Sequence, residues 1–316
     1  MDRLIYKLPS EFRERIKEIY PHKYFSILNS FLTPKLPTFR INKIKVSYER
    51  LIRELKKQNI KFKEVNWYRG GFILIKPSQR EFEGKIFYQE GWVYFQNLSS
   101  ILAVWVLSPE PGDEILDLCS APGGKTTQII SDTQGKAEVL AVEKIKPRYY
   151  KLLANLRRQA QEKLLKVYLG EGALIYKKYP QYFDKVLLDA PCSSEANFLI
   201  SNRKTFSYWS YRKIKEAQHK QKRLLFSGIN SLKKGGLLLY STCTFSPEEN
   251  EEVVNWALEK FKPEVYLEEI NLPISNCQNG LTKWGNKNFS QSLKFTKRIL
   301  PTEVMEGFFL ALFRKR

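Results

Sequence analysis

From Asp113 onward, short apolar strands alternate with helical segments, and this alternation constrains the fold more than any other feature of the chain. Strands that alternate with helices form parallel sheets, because each helix carries the chain back across one face of the sheet. The pattern predicts an α/β domain with a doubly wound, mostly parallel sheet and helices on both faces. Further on, Ser246-Pro247-Glu248-Glu249 has the sequence of a capping box and predicts the start of a helix. The predicted strands cover residues 114–119, 137–142, 186–188 and 236–240.

The preceding residues, 1–91, have a different pattern and predict a small α+β unit. Apolar spacing between positions 48 and 55 predicts a helix, and residues 38–42 and 71–75 predict strands. We therefore predict two domains, the unit at 1–91 and the sheet domain at 92–316. Four aromatic residues of the first part would either stack on nucleic-acid bases or form its core. They are Phe39, Phe72, Tyr88 and Tyr94.

The charge of the chain indicates a polyanionic partner. Lys and Arg total 53 against 33 Asp and Glu, which gives a net charge of +20. The first 91 residues hold 20 of these cations and 10 of the acids, so they carry about half of the excess. A strongly basic protein commonly binds nucleic acid, although a charged and solvated surface would give the same composition.

A glycine-rich turn lies between the first predicted strand of the sheet domain and the helix after it. The turn, residues 117–125, reads DLCSAPGGK. Gly123 and Gly124 permit close backbone approach, and the N-terminus of a helix offers N–H donors to a carboxylate. Glu143 ends the next strand, 20 residues after Gly123, where an acid typically holds ribose hydroxyls. The pattern predicts a site for a nucleoside-containing cofactor and is shared with dinucleotide-dependent oxidoreductases.

Two cysteines follow predicted strands at the same edge of the sheet. Cys192 follows Asp189-Ala190-Pro191, and Cys243 follows Ser241-Thr242. Either could be a buried packing residue. A thiolate at this edge could instead add to carbon 6 of a cytosine ring and make carbon 5 nucleophilic enough to accept a methyl group. A carboxyl group at ring nitrogen 3 would stabilise the charge that develops during this addition.

On these residues the chain resembles the RsmB/Nop family of S-adenosylmethionine-dependent RNA cytosine-5 methyltransferases. The resemblance implies a Rossmann-like class I methyltransferase sheet with a small N-terminal RNA-binding domain. It extends beyond the catalytic motifs to residues 37–45, 94–107 and 306–315. The central matching stretches are DLCSAPGGKTTQI (117–129), FDKVLLDAPCSS (183–194) and YSTCTFSPEENEEVV (240–254).

The resemblance implies roles for individual residues. Cys243 would be the nucleophile, Cys192 would assist product release, Asp189 would contact the cytosine, and Lys125 would orient the site. The implied cofactor is S-adenosylmethionine. Its expected contacts are Cys119, Ser120, Ala121, Pro122, Gly123, Gly124, Lys125, Glu143, Arg148, Glu171 and Asp189. The sequence departs from the family pattern at Ser120, Glu143, Glu171 and Ser194, where the family usually has Ala, Asp, Asp and Gly.

RNA is the expected partner. Cations alternate with aromatic residues between Arg203 and Arg223, as in surfaces that hold single-stranded RNA, although an amphipathic helix with a solvated basic face would have the same pattern. The expected RNA contacts are Arg40, Asn42, Arg203, Lys204 and Trp209. The STCT motif and the position of Glu195 favour ribosomal RNA over transfer RNA.

Several expectations concern what the protein does not need. Four cysteines without a CxxC pair and only two histidines predict neither a metal site nor disulfides. With no apolar run of membrane-spanning length and no predicted disulfides, we expect a cytoplasmic protein. We also expect a monomer. Two other interpretations remain at this point, a dinucleotide-dependent oxidoreductase and a non-catalytic RNA-binding or ribosome-assembly factor that keeps the methyltransferase fold.

Overall fold

The structure, a computed structural model, describes residues 3–159 and 161–316. None of the helices in these two ranges is both long and apolar enough to cross a membrane. The α-helices are α1 (Ser10–Ile19), α2 (Tyr24–Asn29), α3 (Tyr48–Lys57), α4 (Gln79–Glu83), α5 (Ile86–Gln89), α6 (Leu98–Leu107), α7 (Gly124–Asp132), α8 (Lys146–Arg158), α9 (Tyr211–Ser231) and α10 (Glu251–Lys260). Short 3₁₀ helices cover Arg3–Lys7, Glu162–Leu164, Gly172–Lys177, Glu195–Asn197, Arg203–Thr205 and Gln291–Phe295. The strands are β1 (Thr38–Ile41), β2 (Lys61–Glu64), β3 (Gly71–Lys76), β4 (Val93–Phe95), β5 (Glu114–Asp117), β6 (Glu138–Glu143), β7 (Leu165–Leu169), β8 (Phe183–Asp189), β9 (Leu232–Thr242), β10 (Val265–Glu268), β11 (Cys277–Asn279), β12 (Lys283–Trp284), β13 (Lys287–Asn288), β14 (Lys297–Ile299) and β15 (Phe308–Lys315).

A nine-stranded sheet forms the centre of the second part of the chain and confirms the predicted fold class. The strands β7, β6, β5, β8 and β9 are parallel neighbours in that order, and β15 pairs with β9 in the antiparallel direction. The chain enters this sheet at β5, with β6 on one side and β8 on the other. The winding direction therefore reverses beside β5, and the carboxyl ends of β5 and β8 are the expected place for a ligand.

Alternating apolar residues on the strands fill one core on each face of the sheet. Leu116 and Val186 are fully buried in one core, whereas their neighbours Ile115 and Leu187 are fully buried in the other. This arrangement follows from the two-residue period of a strand, which points successive side chains to opposite faces. Helix α9 covers the first core, and helices α6 and α7 cover the second.

The N-terminal part contains an antiparallel sheet in the order β2-β3-β1-β4. Phe39 and Phe72 are fully buried in its core, with ring centroids 5.0 Å apart. These two aromatic residues therefore form a core and offer no stacking face to bases. Strand β4 lies after residue 91 and pairs with β1, so the first sheet extends beyond the boundary predicted from the sequence.

The first helices pack against the second part of the chain. The rings of Phe12 and Phe198 lie 4.9 Å apart, and those of Tyr20 and Phe245 lie 5.9 Å apart. Since Phe198 and Phe245 follow the two cysteine motifs closely, α1 and the residues after it support the loops that carry those motifs.

The predicted capping box at Ser246–Glu249 is wrong. Helix α10 begins at Glu251, and the residues before it form turns. Ser246 Oγ donates a hydrogen bond to Glu195 Oε1, and Glu249 Oε2 accepts one from the backbone N–H of Ser193. The Ser246 hydroxyl and the Glu249 carboxylate therefore bind a distant loop of the chain instead of capping a helix.

Candidate active site

The ends of β8 and β9 bring the two predicted cysteines together. Cys192 Sγ and Cys243 Sγ lie 3.4 Å apart, and Asn197 Nδ2 lies 3.5 Å from Cys243 Sγ as a hydrogen-bond donor. The hydrogen bond with Cys243, together with burial, raises the pKa of the Cys192 thiol well above its usual range. Cys192 is therefore held as a neutral thiol beside Cys243. No pattern in the sequence pointed to Asn197.

Asp189 lies at the end of β8 and is held by two donors. Lys125 Nζ is 2.6 Å from Asp189 Oδ2, and Ser241 Oγ donates to Asp189 Oδ1 over 2.8 Å. The side chains of Lys125 and Asp189 are 11% and 33% exposed, so water screens this ion pair less than it screens a surface pair. The structure thus brings Lys125 and Asp189 into contact at the edge that carries the cysteines.

The glycine-rich turn after β5 has a fixed shape. Gly123 adopts φ +107°, a backbone conformation that favours glycine, and a Cβ added there would lie 2.8 Å from the end of the Leu152 side chain. Arg148 donates to the carbonyl of Ala121 over 2.6 Å, and Asn155 Nδ2 donates to the carbonyl of Pro122 over 2.7 Å. Side chains of helix α8 therefore hold the backbone of this turn. Burial raises the pKa of the Cys119 thiol, which keeps it neutral.

A cavity of about 320 Å³ lies between this turn and the end of β6. Glu143, which is 3% exposed, uses Oε1 to accept a hydrogen bond from the backbone N–H of Ile145, while its buried Oε2 has no hydrogen-bond partner among the described residues. A buried oxygen without a donor favours a ligand that carries hydroxyl groups. Glu171, whose pKa is lowered by a hydrogen bond from Lys144, lines the same cavity.

A second cavity of about 290 Å³ opens beside the first, and Cys119 lines both. Cys243 and Asp189 line this second cavity, together with Lys125. The site therefore has two compartments that meet at the glycine-rich turn, one with Glu143, whose Oε2 lies 3.7 Å from Arg148 Nη1, and one with the Cys243 thiol. Among the described residues, no group of three or more His, Cys, Asp or Glu side chains could hold a metal ion.

Two buried carboxylates connect the cysteine loops, and the sequence analysis gave neither of them this role. Glu195 accepts hydrogen bonds from Thr244 Oγ1 and from the backbone N–H of Phe245. Glu249 accepts hydrogen bonds from Ser193 and from Gln221 Nε2. Burial and the nearby charge of Glu195 raise the pKa of Glu249 to about 7. Because Ser193 follows Cys192 and Thr244 follows Cys243, the two carboxylates fix the loops relative to each other.

A Glu249→Gln variant is expected to gain stability relative to the parent protein as the pH rises from 4.5 to 8. The folded pKa of about 7 exceeds the usual glutamate value of 4.5, so the parent protein loses stability as pH rises through this interval. Because glutamine does not titrate, the difference in unfolding free energy should shift by about 3 kcal/mol in favour of the variant between these pH values, from roughly 1.4 kcal/mol per pKa unit, on top of a constant cost for the hydrogen bonds that the amide cannot accept. Denaturant unfolding at both pH values measures the difference.

Glu252→Gln is the matched control for this experiment. Lys287 and Gln218 donate hydrogen bonds that lower the pKa of Glu252 in spite of its partial burial. Its charge therefore adds stability above pH 4.5, and the control should be less stable than the parent protein at pH 8. A Glu249→Gln variant that loses the same stability at both pH values would contradict the account.

Ser194 adopts the left-handed conformation, with φ +57°, at the position where the family pattern has glycine. A serine in this region costs conformational energy that glycine would not. The next residue, Glu195, accepts the Trp209 Nε1 hydrogen bond over 2.8 Å and is 2% exposed. The hydrogen bonds of Glu195 compensate for the strained turn and hold Ser194 near both thiols.

Two of the predicted RNA contacts are corrected by the structure. Arg40 and Asn42 are fully buried. Arg40 Nη2 donates to Thr127 Oγ1 over 2.7 Å, and Asn42 Nδ2 donates to the carbonyl of Gln159 over 2.9 Å. Both side chains join the N-terminal sheet to the helices of the second part. Neither of them has surface that RNA could reach.

The other three predicted RNA contacts lie on the surface near Cys192. Arg203 and Lys204 are exposed, and Trp209 is half-buried. A groove of about 260 Å³ beside Cys192 is lined by Lys204 and Trp209, but Arg203 is not part of its lining. Trp209 also packs against Phe12, with ring centroids 5.7 Å apart, so it has a structural role as well.

The chain matches two family models along most of its length. Residues 104–314 match the model described as 16S rRNA methyltransferase RsmB/F, and residues 8–98 match the N-terminal domain of 16S rRNA methyltransferase RsmF. The chain belongs to the RsmB/F methyltransferase family. The resemblance inferred from the sequence is thereby confirmed. Membership in this family also removes the oxidoreductase interpretation.

Relatives of this RsmB/F family member include proteins named for different RNAs. A tRNA (cytosine(49)-C(5))-methyltransferase from Pyrococcus abyssi is 35% identical over 89% of both chains. A ribosomal RNA small subunit methyltransferase F from Pectobacterium carotovorum is 29% identical over 98% of this chain, which spans 63% of that protein. This chain is also similar to a methyltransferase homologue from Pyrococcus horikoshii whose crystal structure is known. The two sequences are 30% identical, and the structural alignment covers both chains completely with a TM-score of 0.83.

Proposed function

We propose that this protein transfers a methyl group from S-adenosylmethionine to carbon 5 of cytosine in RNA. The observation that carries the proposal is the pair of thiols 3.4 Å apart, where Cys243 lines a cavity together with Asp189 and Lys125. The name of the family supports methyl transfer, and relatives named for RNA cytosine methylation support the substrate.

Cys243 is the nucleophile in this proposal. Its thiolate adds to carbon 6 of the cytosine ring, and the Asn197 amide, 3.5 Å from the sulfur, stabilises the thiolate by hydrogen bonding. Lys125 lies at the same cavity, and its positive charge stabilises the negative charge that develops on the ring; Asp189, which is paired with Lys125, contacts the cytosine. The target cytosine must leave its base stack to reach the thiol.

Cys192 assists the second half of the reaction. After carbon 5 is methylated, its proton leaves to a base and the bond between carbon 6 and the Cys243 sulfur breaks. Cys192, whose pKa is raised by the contact with Cys243, is protonated and can donate its proton to the departing sulfur. A reaction that needs two free thiols fits the reducing cytoplasm, which is our proposed location. One chain supplies every residue named in this mechanism, as expected for a monomer.

The residues around the first cavity fit S-adenosylmethionine. When bound, this cofactor supplies an electrophilic methyl group. Glu143 Oε2, which lies 3.7 Å from Arg148 Nη1 but has no hydrogen-bond partner among the described residues, would accept hydrogen bonds from the ribose hydroxyls. The backbone N–H groups at the start of α7, beside the second cavity, would bind the carboxylate. Arg148 and Glu171 line the same cavity. Cys119, Ser120, Ala121, Pro122 and Gly124 complete the turn in this proposal.

A Glu143→Ala variant is expected to bind S-adenosylmethionine about 10- to 100-fold more weakly, because a hydrogen bond to a charged group is worth about 1.5–3 kcal/mol. Glu143→Gln should lose less, since its amide oxygen can still accept the Ile145 N–H bond. Calorimetry measures the dissociation constants. The matched control is Glu138→Gln at the exposed start of the same strand, and equal affinity of all four proteins would refute the assignment.

RNA binds across the groove beside Cys192 in this proposal. Its lining includes Lys204, Lys213 and Lys220, whose charges suit phosphates, and Tyr208, which is 83% exposed and can stack on an unpaired base. Arg203 is exposed next to the groove. Charge complementarity and an exposed ring so close to Cys192 support a single-stranded RNA segment on this surface.

The type of RNA stays a prediction. The sequence favours ribosomal RNA, whereas relatives named for transfer RNA and for ribosomal RNA both match the chain. Bisulfite sequencing of total RNA, from cells with and without the protein, tests the proposed function and separates the two RNAs. We expect a cytosine that resists conversion only when the protein is present. Identical conversion in both samples would instead support the non-catalytic RNA-binding interpretation.

A further inference from the structure

Glu306 lies in the cavity that contains Cys243, and neither the family resemblance nor the mechanism above gives it a role. It precedes β15, the antiparallel neighbour of β9, and it lines the cavity together with Asp189 and Lys125. Two hydrogen bonds hold the backbone of Glu306 against the start of α6. Its carbonyl accepts one from Ser99 Oγ over 2.7 Å, and its N–H donates one to Asn97 Oδ1 over 3.4 Å. The side chain therefore starts from a fixed position.

The carboxyl group of Glu306 is free to bind a ligand. Among the described residues, no side chain or backbone group donates a hydrogen bond to it. Burial raises its pKa, against the opposing effect of the Lys125 and Lys35 charges. Asp189 differs, because Lys125 and Ser241 already donate to its two oxygens. Of these two carboxyl groups in the cavity, Glu306 has the larger unmet capacity to accept hydrogen bonds.

We propose that Glu306 accepts a hydrogen bond from the exocyclic amino group of the target cytosine and thereby makes the enzyme select cytosine over uracil. This inference rests on the proposed function, since it places the cytosine ring in the cavity beside Cys243. The amino group on carbon 4 is the donor of cytosine, and carboxylates are its usual acceptors in proteins. Uracil carries an oxygen at that position, which would face the carboxylate as a second acceptor.

The preference for cytosine over uracil follows from the cost of leaving the Glu306 carboxyl group without a donor. A site built to bind an N–H group rejects an analogue without it, because the buried acceptor is then left without a partner. A contact of this kind is worth about 1–3 kcal/mol, which corresponds to roughly 5- to 150-fold in rate. The thiolate could add to carbon 6 of uracil as well, so the chemistry of the nucleophile alone does not exclude that base.

The test uses one RNA oligonucleotide with three bases at the target position: cytosine, uracil and pyrimidin-2-one, which lacks the amino group. The value of kcat/KM is measured for the parent protein and for Glu306→Ala. We expect the variant to lose about 10- to 100-fold on cytosine and to lose little on pyrimidin-2-one. The effects of removing the amino group and the carboxyl group should therefore not add, as is typical of two groups in contact.

Three controls make the outcomes separable. Glu303→Gln, an exposed neighbour, should behave like the parent protein on all three bases. Glu306→Gln keeps the shape of the side chain but can donate to uracil, so its preference for cytosine over uracil should fall. Unchanged S-adenosylmethionine affinity shows that the variants fold. Equal losses by Glu306→Ala on cytosine and on pyrimidin-2-one would overturn this inference alone, whereas a parent protein inactive on cytosine in every RNA would overturn the proposed function.

Discussion

A Cys243→Ala variant is expected to transfer no measurable methyl group to RNA, a loss of at least about 10⁴-fold. Without the thiolate, carbon 5 of cytosine stays too weakly nucleophilic to react, and removal of a covalent nucleophile typically costs an enzyme this much or more. Transfer of a radiolabelled methyl group measures the loss. S-adenosylmethionine affinity should be unchanged, because Cys243 is not among the residues assigned to the cofactor and does not line the cavity that contains Glu143.

Cys277→Ala is the matched control for this variant. Cys277 is half-buried in β11, at the far edge of the sheet, and its thiol donates to the carbonyl of Ile274. The control should therefore keep full activity. Residual activity of Cys243→Ala near the level of the parent protein would show that another group attacks the ring.

The largest expected effect on stability comes from Arg298. Its side chain is 1% exposed and pairs with Glu251, which is fully buried. Nε lies 2.6 Å from Glu251 Oε1, and Nη1 donates to Tyr20 Oη over 2.7 Å and to the carbonyl of Phe245 over 2.9 Å. An Arg298→Ala variant removes the cation that neutralises a buried carboxylate and the donor to a buried carbonyl. Among the described residues, the Leu281 N–H alone still donates to Glu251, so we expect a loss of about 3–5 kcal/mol in the free energy of unfolding.

A surface pair provides the comparison. Arg314 and Glu268 are 37% and 33% exposed, so Arg314→Ala should cost less than about 1 kcal/mol in the same denaturant unfolding experiment. The double variant Arg298→Met with Glu251→Leu should recover much of the loss, since it removes both charges together. Equal losses for Arg298→Ala and Arg314→Ala would show that the buried pair is not a main support of the fold.

The strand ends of the sheet were predictable from the sequence. Apolar runs followed by Asp189 and by Ser241 predicted that Cys192 and Cys243 lie at one edge of the sheet. In the structure their sulfur atoms lie 3.4 Å apart. The prediction succeeded because parallel strands share one carboxyl edge, so that residues distant in the chain meet there. The glycine-rich turn was predictable for a local reason, since Gly123 needs a positive φ.

The contacts between the N-terminal part and the second part of the chain were not predictable in the same way. Arg40 and Asn42 are residue types that often contact RNA. In the structure, however, Asn42 donates a hydrogen bond to the carbonyl of Gln159, 117 positions away. No local periodicity predicts such a contact. The capping-box pattern at Ser246–Glu249 failed for the same reason, because these side chains form hydrogen bonds with Glu195 and Ser193, which are more than 50 positions away.

The most direct test of the central claim asks which thiol forms the covalent bond with RNA. Cys192→Ala and Cys243→Ala are each incubated with S-adenosylmethionine and substrate RNA, and the products are separated on a denaturing gel. If Cys243 attacks carbon 6 and Cys192 acts only at release, Cys192→Ala accumulates a protein–RNA species that survives denaturation, and Cys243→Ala forms none. A covalent species trapped by Cys243→Ala instead of Cys192→Ala would contradict the account and make Cys192 the nucleophile.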